Sequence, residues 1–271
     1  MPRENESVDP DGTPSVTSAR WSVHGPSDAD LFVGGHSHAL AFLHAMEETR
    51  VPDGWTGAVV LDTERRSSSF LDDDYWALLA RAAAGKAIAV VWNGNQHNAG
   101  FLLEPNPPIR VFEPGASTAG DAMWIPRRLL REYWTPSFAE LKAALPLLTS
   151  VADVYLIGTP PPKTDELIRS VIQQDPYFVK QGAALGMDLA ALAVTPAATR
   201  LAMWELLQEM LEQCAVEFGA TFVAVPPDVT DDDGILLRRY SALDATHANT
   251  EYGARMWAEW ASSMSKKGAV S

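Results

Sequence analysis

Five short apolar runs punctuate the chain: LFVG at 31–34, GAVVLD at 57–62, AIAVVW at 87–92, VYLIG at 154–158 and TFVAV at 221–225. Runs of this length without polar alternation mark strands buried on both faces, as in parallel sheets. Between them the period changes. Leu40, Leu43 and Met46 recur three residues apart with Phe42 alongside, which predicts a helix over 38–49. Further helices are predicted at 71–84, 137–150 and 197–218. A last one, at 250–264, has Met256, Trp257, Trp260 and Met264 on one side. Pro52-Asp53-Gly54 and Gly85 supply turns where the first two helices end. Strands alternating with helices in this way predict a doubly wound α/β sheet.

Three segments fall outside the rhythm. Residues 1–25 are rich in Pro, Ser and Asp and read as a flexible arm. Residues 99–135 are proline-rich and aromatic, longer than an ordinary connection, and read as a lid or insertion. Residues 266–271 form a short tail, leaving 26–265 as a single globular domain. Nothing repeats internally.

The most informative stretch is DLFVGGHSHALAFL at 30–43. A strand that ends in glycines and turns at once into a helix presents its turn residues at the carboxyl edge of the sheet, where open α/β folds bind ligands. Ser37 sits at that turn, beside free N–H groups at the helix start. It reads either as a helix N-cap or as a nucleophile. Near the other end, Asp244 and His247 stand three residues apart just before a helix. At that spacing the carboxylate can hold one imidazole nitrogen and fix the tautomer, leaving the other nitrogen free to act as a base. Asp244 could equally cap the turn. An oxyanion formed on attack needs donors aimed at it. The Ser37 N–H is one candidate and the Asn95 side chain, at the end of the third strand, is another; Asn98 is its rival.

In this order the blocks resemble the SGNH hydrolases, the GDSL-like esterases and lipases. GGHSH matches the nucleophile block, NGNQHN the oxyanion asparagine block, and VYLIGTPPP the strand that ends in prolines. DATHANTEYGARMWAEW matches the terminal block, with an Asn and a Tyr-Gly ahead of the last helix. The resemblance covers about 30–264. It implies a three-layer α/β/α flavodoxin-like fold, a five-stranded mostly parallel sheet, and an acyl-serine on Ser37 with His247 as base and Asp244 as its partner. Two positions depart from the family. His36 stands where the family has Asp. No glycine lies between Leu61 and Ala84 to give the usual second-strand oxyanion N–H, so a backbone N–H among Ser67, Ser68 and Ser69 is left to supply it. His36, His97, Asn98 and Trp124 are the candidates to meet substrate. Trp124 and Trp134 suit either a core or a lid that contacts an apolar or sugar group.

Composition narrows the remaining classes. Acidic residues outnumber basic ones 35 to 21, a net charge of −14, which argues against nucleic acid or an anionic membrane as partner. Arg127, Arg128 and Arg131 form the one basic cluster, expected along a helix face. The single cysteine, Cys214, excludes an internal disulfide, fits a reducing compartment and reads as packing in its helix. The N-terminal stretch has no apolar core of a signal peptide, and no run spans a bilayer, so a cytoplasmic protein without membrane insertion is expected. The expected substrate is a small-molecule or carbohydrate O-acyl ester, with no cofactor and no metal. An acyltransferase using the same three residues is the alternative. A metal-dependent phosphoesterase would draw on the GHSH and GNQH fragments, which stand in the wrong order and lack an Asp-x-His near the first strand. Oligomeric state is not legible.

Overall fold

The structure, a computed structural model, describes residues 20–64, 71–93, 96–112, 120–186, 188–189 and 193–268. Eight strands occur among them: β1 Trp21–His24, β2 Leu31–Gly35, β3 Gly57–Asp62, β4 Ala87–Val91, β5 Ile109–Phe112, β6 Met123–Pro126, β7 Asp153–Ile157 and β8 Thr221–Val223. The helices are α1 Ala39–Glu47, α2 Asp73–Ala82, α3 Gln96–Ala99, α4 Arg127–Trp134, α5 Ala139–Thr149, α6 Asp165–Val171, α7 Pro176–Leu185, α8 Ala197–Glu217 and α9 Thr250–Gly268.

The main sheet runs β1-β3-β2-β4-β7-β8. Its five parallel strands, taken in chain order, lie 2-1-3-4-5, the flavodoxin-like order. The strand order reverses between β2 and β4, so the crevice beyond their carboxyl ends is where such a sheet receives a ligand. Every residue of β2 and β3 is buried, as expected of strands covered on both faces. One face packs on α1 and α9 through Phe42, Leu43, Met256, Trp257 and Trp260. The other packs on α2, α5 and α8 through Tyr75, Leu79, Leu145, Leu207 and Leu211.

The sheet has six strands, not five. The sixth, β1, lies in the segment read from the sequence as arm. It pairs antiparallel with β3, Trp21 opposite Asp62. WSVH is short and half polar, so it carries no strand pattern of its own. It is held by burial of Trp21, 1% exposed and edge-on to Tyr75 at 5.0 Å, and by the indole N–H donating to Asp72 Oδ1 at 2.9 Å. The same carboxylate accepts from the Tyr75 N–H and caps α2.

Of the segment expected as a lid or insertion, residues 99–112 and 120–135 are described. β5 and β6 form a two-stranded parallel sheet, and Ile109, Val111, Leu130 and Trp134 join the core on the α8 side. Trp134 is a core residue, 3% exposed. Arg127 and Arg131 both reach Glu209 on α8, at 2.5 and 3.1 Å, while Arg128 pairs with Glu132 along α4. The cluster does lie along one helix, two of its members tying α4 to α8.

Two contacts set where the two ends of the chain meet. Trp257 Nε1 donates to Phe42 O at 3.1 Å. Gly253, in the first turns of α9, lies so close to α1 that an added Cβ would be 2.0 Å from Ala41 O and 2.4 Å from its carbonyl carbon. Those obstacles are backbone and cannot rotate away. Gly253→Ala gains helix propensity of about 1 kcal/mol but overpacks this crossing, and a net loss of roughly 3 kcal/mol is expected. Urea unfolding checks this, and a variant of unchanged midpoint would refute the close-approach argument.

Candidate functional site

β2 ends in Gly34 and Gly35, the first crowded by side chains and the second required by its backbone. A Cβ on Gly34 would be 2.5 Å from Leu79 Cδ2. Gly35 has φ +135° and a Cβ there would be 2.0 Å from Val91 O, so only glycine fits. Its N–H donates to the Tyr75 hydroxyl, which in turn donates to Val60 O at 3.1 Å. Burial holds the Tyr75 phenol well above its ordinary range, so it stays a neutral donor. The strand end is thereby fixed from three directions.

The next residue, His36, is 4% exposed. Its Nδ1 accepts the Asn93 N–H at 3.2 Å, and its ring stands edge-on to Trp92 at 4.5 Å. Burial pushes the imidazole down to about 4, so near neutral pH it is uncharged, with the proton on Nε2. His36 therefore braces the turn after β2 against the turn after β4, at the reversal of strand order. Asn93 itself adopts φ +36°.

Ser37 is half-buried and gives α1 no side-chain cap. Its Oγ lies 2.9 Å from His247 Nε2 instead. His247 Nδ1 is 3.1 Å from Asp244 Oδ2, while Asp244 Oδ1 accepts the N–H groups of Thr246 at 2.8 Å and His247 at 2.6 Å. The carboxylate thus both closes its own turn and holds the imidazole. Burial opposes its ionisation, but the bonds and charge of His247, with the charge of Lys163, outweigh burial and hold the carboxyl well below its usual range. An ionised Asp244 accepting at Nδ1 puts the lone pair of a neutral His247 on Nε2, toward Ser37.

The turn carrying these groups is closed on itself. Ala242 N–H donates to His247 O at 3.0 Å, and Ser241 bridges Ala248. Asn249 caps α9, its Oδ1 accepting the Tyr252 N–H while Nδ2 donates to Arg239 O and Ser241 O. Tyr252 and Gly253 lie inside α9, not before it.

The other candidates divide. Asn95 and the Ser67, Ser68 and Ser69 group lie outside the described residues. Asn98 and His97 sit in α3, 4% and 1% exposed, both turned into the protein. Trp124 is on β6, opposite Arg110 in the small sheet; no hydrogen bond among the described residues joins it to Ser37 or His247. His38, which follows Ser37 in GGHSH, has its ring 5.1 Å from that of His247. Cys214 is buried in the α8 core, which pushes its thiol up to about 11. A groove of about 180 Å³ between α4, α5 and α8 is lined by Arg131, Lys142, Cys214 and Glu217 and holds none of the candidate site residues. Among the described residues no three His, Cys, Asp or Glu side chains converge as metal ligands, and no helix is long and apolar enough to cross a membrane.

One residue was missed altogether. Lys163, 2% exposed, donates to Ala242 O at 2.9 Å and Asp244 O at 2.7 Å, with Asp244 Oδ1 at 3.4 Å. Its place just after three buried prolines was the available signal, because a non-sheet segment can be buried cheaply when its residues lack N–H groups.

No protein-family model matches the chain, and no curated protein matches it in sequence. Among solved structures it is similar to the periplasmic domain of a lipopolysaccharide acetyltransferase from Salmonella ser. Paratyphi A, at 8% identity and TM-score 0.47, covering 88% of this chain and 85% of that one. It is also similar to a GDSL-like lipase from Bacteroides thetaiotaomicron, at 13% and 0.43, covering 88% and 87%. A carbohydrate acetylesterase from Sinorhizobium meliloti aligns at 12% and 0.42, covering 87% and 98%. At these identities the reading of function rests on this chain's own side chains.

Proposed function

We propose that the protein is a serine hydrolase of the SGNH type that cleaves an O-acyl ester of a small molecule or carbohydrate. The observation that carries this reading is the continuous line Ser37 Oγ, His247 Nε2, His247 Nδ1, Asp244 Oδ2, with steps of 2.9 and 3.1 Å across the imidazole. Ser37 Oγ attacks the ester carbonyl carbon while His247 Nε2 takes its proton. The tetrahedral oxyanion is met by the Ser37 N–H, with Asn95 assigned as second donor from the sequence. Collapse breaks the bond to the alcohol oxygen, which leaves with the proton from His247, and the acyl group remains on Ser37. Water, deprotonated by His247, then attacks the acyl-serine, and the acyl–Oγ bond breaks as His247 returns that proton to Ser37 Oγ, releasing the acid. If an alcohol enters in place of water, the same intermediate gives acyl transfer, and product analysis with an added acceptor separates the two outcomes.

The test is covalent. A fluorophosphonate incubated with the full chain is expected to add one phosphonyl group, found by mass spectrometry on the peptide containing Ser37, and to stop turnover of p-nitrophenyl acetate in parallel. An adduct at another residue, or turnover that survives complete labelling, would remove the assignment.

A further inference from the structure

The turn that carries Asp244 and His247 is exposed on its outer side, where Leu243 is 80% accessible. Its inner side rests on a buried cation. Lys163 binds two carbonyls of that turn and approaches the carboxylate, and its own backbone is held in turn from α8. Arg200, Trp204 and Gln208, four residues apart and so on one helix face, reach into the segment after β7. Gln208 brackets Thr159, donating to its Oγ1 and accepting from its N–H. Trp204 Nε1 donates to Thr159 O at 2.9 Å, and Arg200 donates to Lys163 O at 2.9 Å. Arg200 is itself fully buried and tied to Asp165 and Thr195 O. Pro160, Pro161 and Pro162 lie buried between these anchors, stiffening the segment and offering no unpaired N–H.

We infer that Lys163 is a positioning residue for the Ser37 relay, its ammonium fixing the 242–247 turn in the arrangement that aims Asp244 Oδ2 at His247 Nδ1. The inference rests on the serine hydrolase reading above and adds to it a group that touches neither substrate nor reacting atoms. The ammonium has three hydrogens and three oxygen neighbours, all on one turn, so each donor fixes a different part of it. Burial pushes Lys163 down to about 8, with Asp244 resisting that shift. Facing it are Asp244, Asp175 and Arg238, with Arg200 and Asp165 behind its carbonyl. None of these other residue types titrates in water between pH 7 and 10, so a rate limb in that range reports on the lysine.

The experiment follows the fluorophosphonate labelling rate of Ser37 from pH 6 to 10 in the wild type, Lys163→Met and Lys163→Arg. At pH 7 the Met variant is expected to label on the order of 10–100-fold more slowly, the scale of misplacing a reacting group by up to about 1 Å. The wild-type rate is expected to fall above about pH 8 and to converge on that of the Met variant. The Arg variant, charged throughout, recovers part of the rate at pH 7 and shows no fall. A Met variant equal to wild type would overturn the proposal, as would a wild-type rate that stays level through the pH at which NMR shows the Lys163 ammonium itself to titrate. The second comparison decides even if neither variant folds. If Ser37 proves not to label at all, the serine hydrolase reading fails separately. The downfield proton on His247 Nδ1 then carries the test: its loss in Lys163→Met supports positioning, and its retention refutes it.

Discussion

Ser37→Ala is expected to lower kcat toward p-nitrophenyl acetate by roughly 10⁶-fold, the scale on which removing a nucleophile abolishes the action of its whole relay. What remains would come from the oxyanion donors and substrate binding alone. KM should change little, because the hydroxyl contributes to attack rather than to uniform binding. The protein should keep its fold. The Ser37 hydroxyl bonds to His247 and supplies no cap to α1, so its loss leaves no buried donor unsatisfied. Thermal unfolding and steady-state kinetics on one preparation check both halves. Activity within tenfold of the wild type would show that hydrolysis runs elsewhere.

Asp244→Asn should cost about 10⁴-fold in kcat, through the tautomer rather than the geometry. An amide in place of the carboxylate can keep accepting the Thr246 and His247 N–H groups with its oxygen. The NH₂ group then faces His247 Nδ1 and donates to it. That forces the imidazole proton onto Nε2, where it points at Ser37 and cannot accept. Turning the amide over restores the acceptor at Nδ1 but sets NH₂ against two N–H donors. Either way one interaction is lost. Because the wild-type carboxyl is held well below the usual carboxylate range, Asp244 stays ionised throughout the pH range in which His247 must be neutral to act. Its protonation does not limit the wild-type rate above pH 5. A loss of less than tenfold, with circular dichroism unchanged, would assign Asp244 to turn closure alone.

These two variants concern residues that local sequence could single out. The Asp-x-x-His spacing is a property of one turn, and a glycine pair between an apolar strand and a periodic helix is a property of one βα unit. Both are written in neighbouring residues, as are the buried runs at 57–62 and 154–158 and the stripe of Met256, Trp257 and Trp260 that became the inner face of α9. The misses have a common cause. β1 exists because Trp21 finds Asp72 and Tyr75 some fifty residues on. The role of His36 depends on the Asn93 N–H, and Lys163 matters because of carbonyls about eighty residues downstream. His97 and Asn98 lie buried in the short helix α3, a placement no local pattern announced.

The sequence by itself determined the five parallel strands, the helices between them and the chemistry available at Ser37, Asp244 and His247, because period, turn residues and residue type act over a few positions. Tertiary structure alone decided that Ser37 Oγ and His247 Nε2 lie 2.9 Å apart across 210 residues of chain. It also decided that Gly253 lets α9 close on α1 and that a buried lysine underlies the turn between them. The physical reason is that such distances are set by how backbones pack and where buried donors find acceptors. Those conditions exist only once the sheet and its layers have assembled.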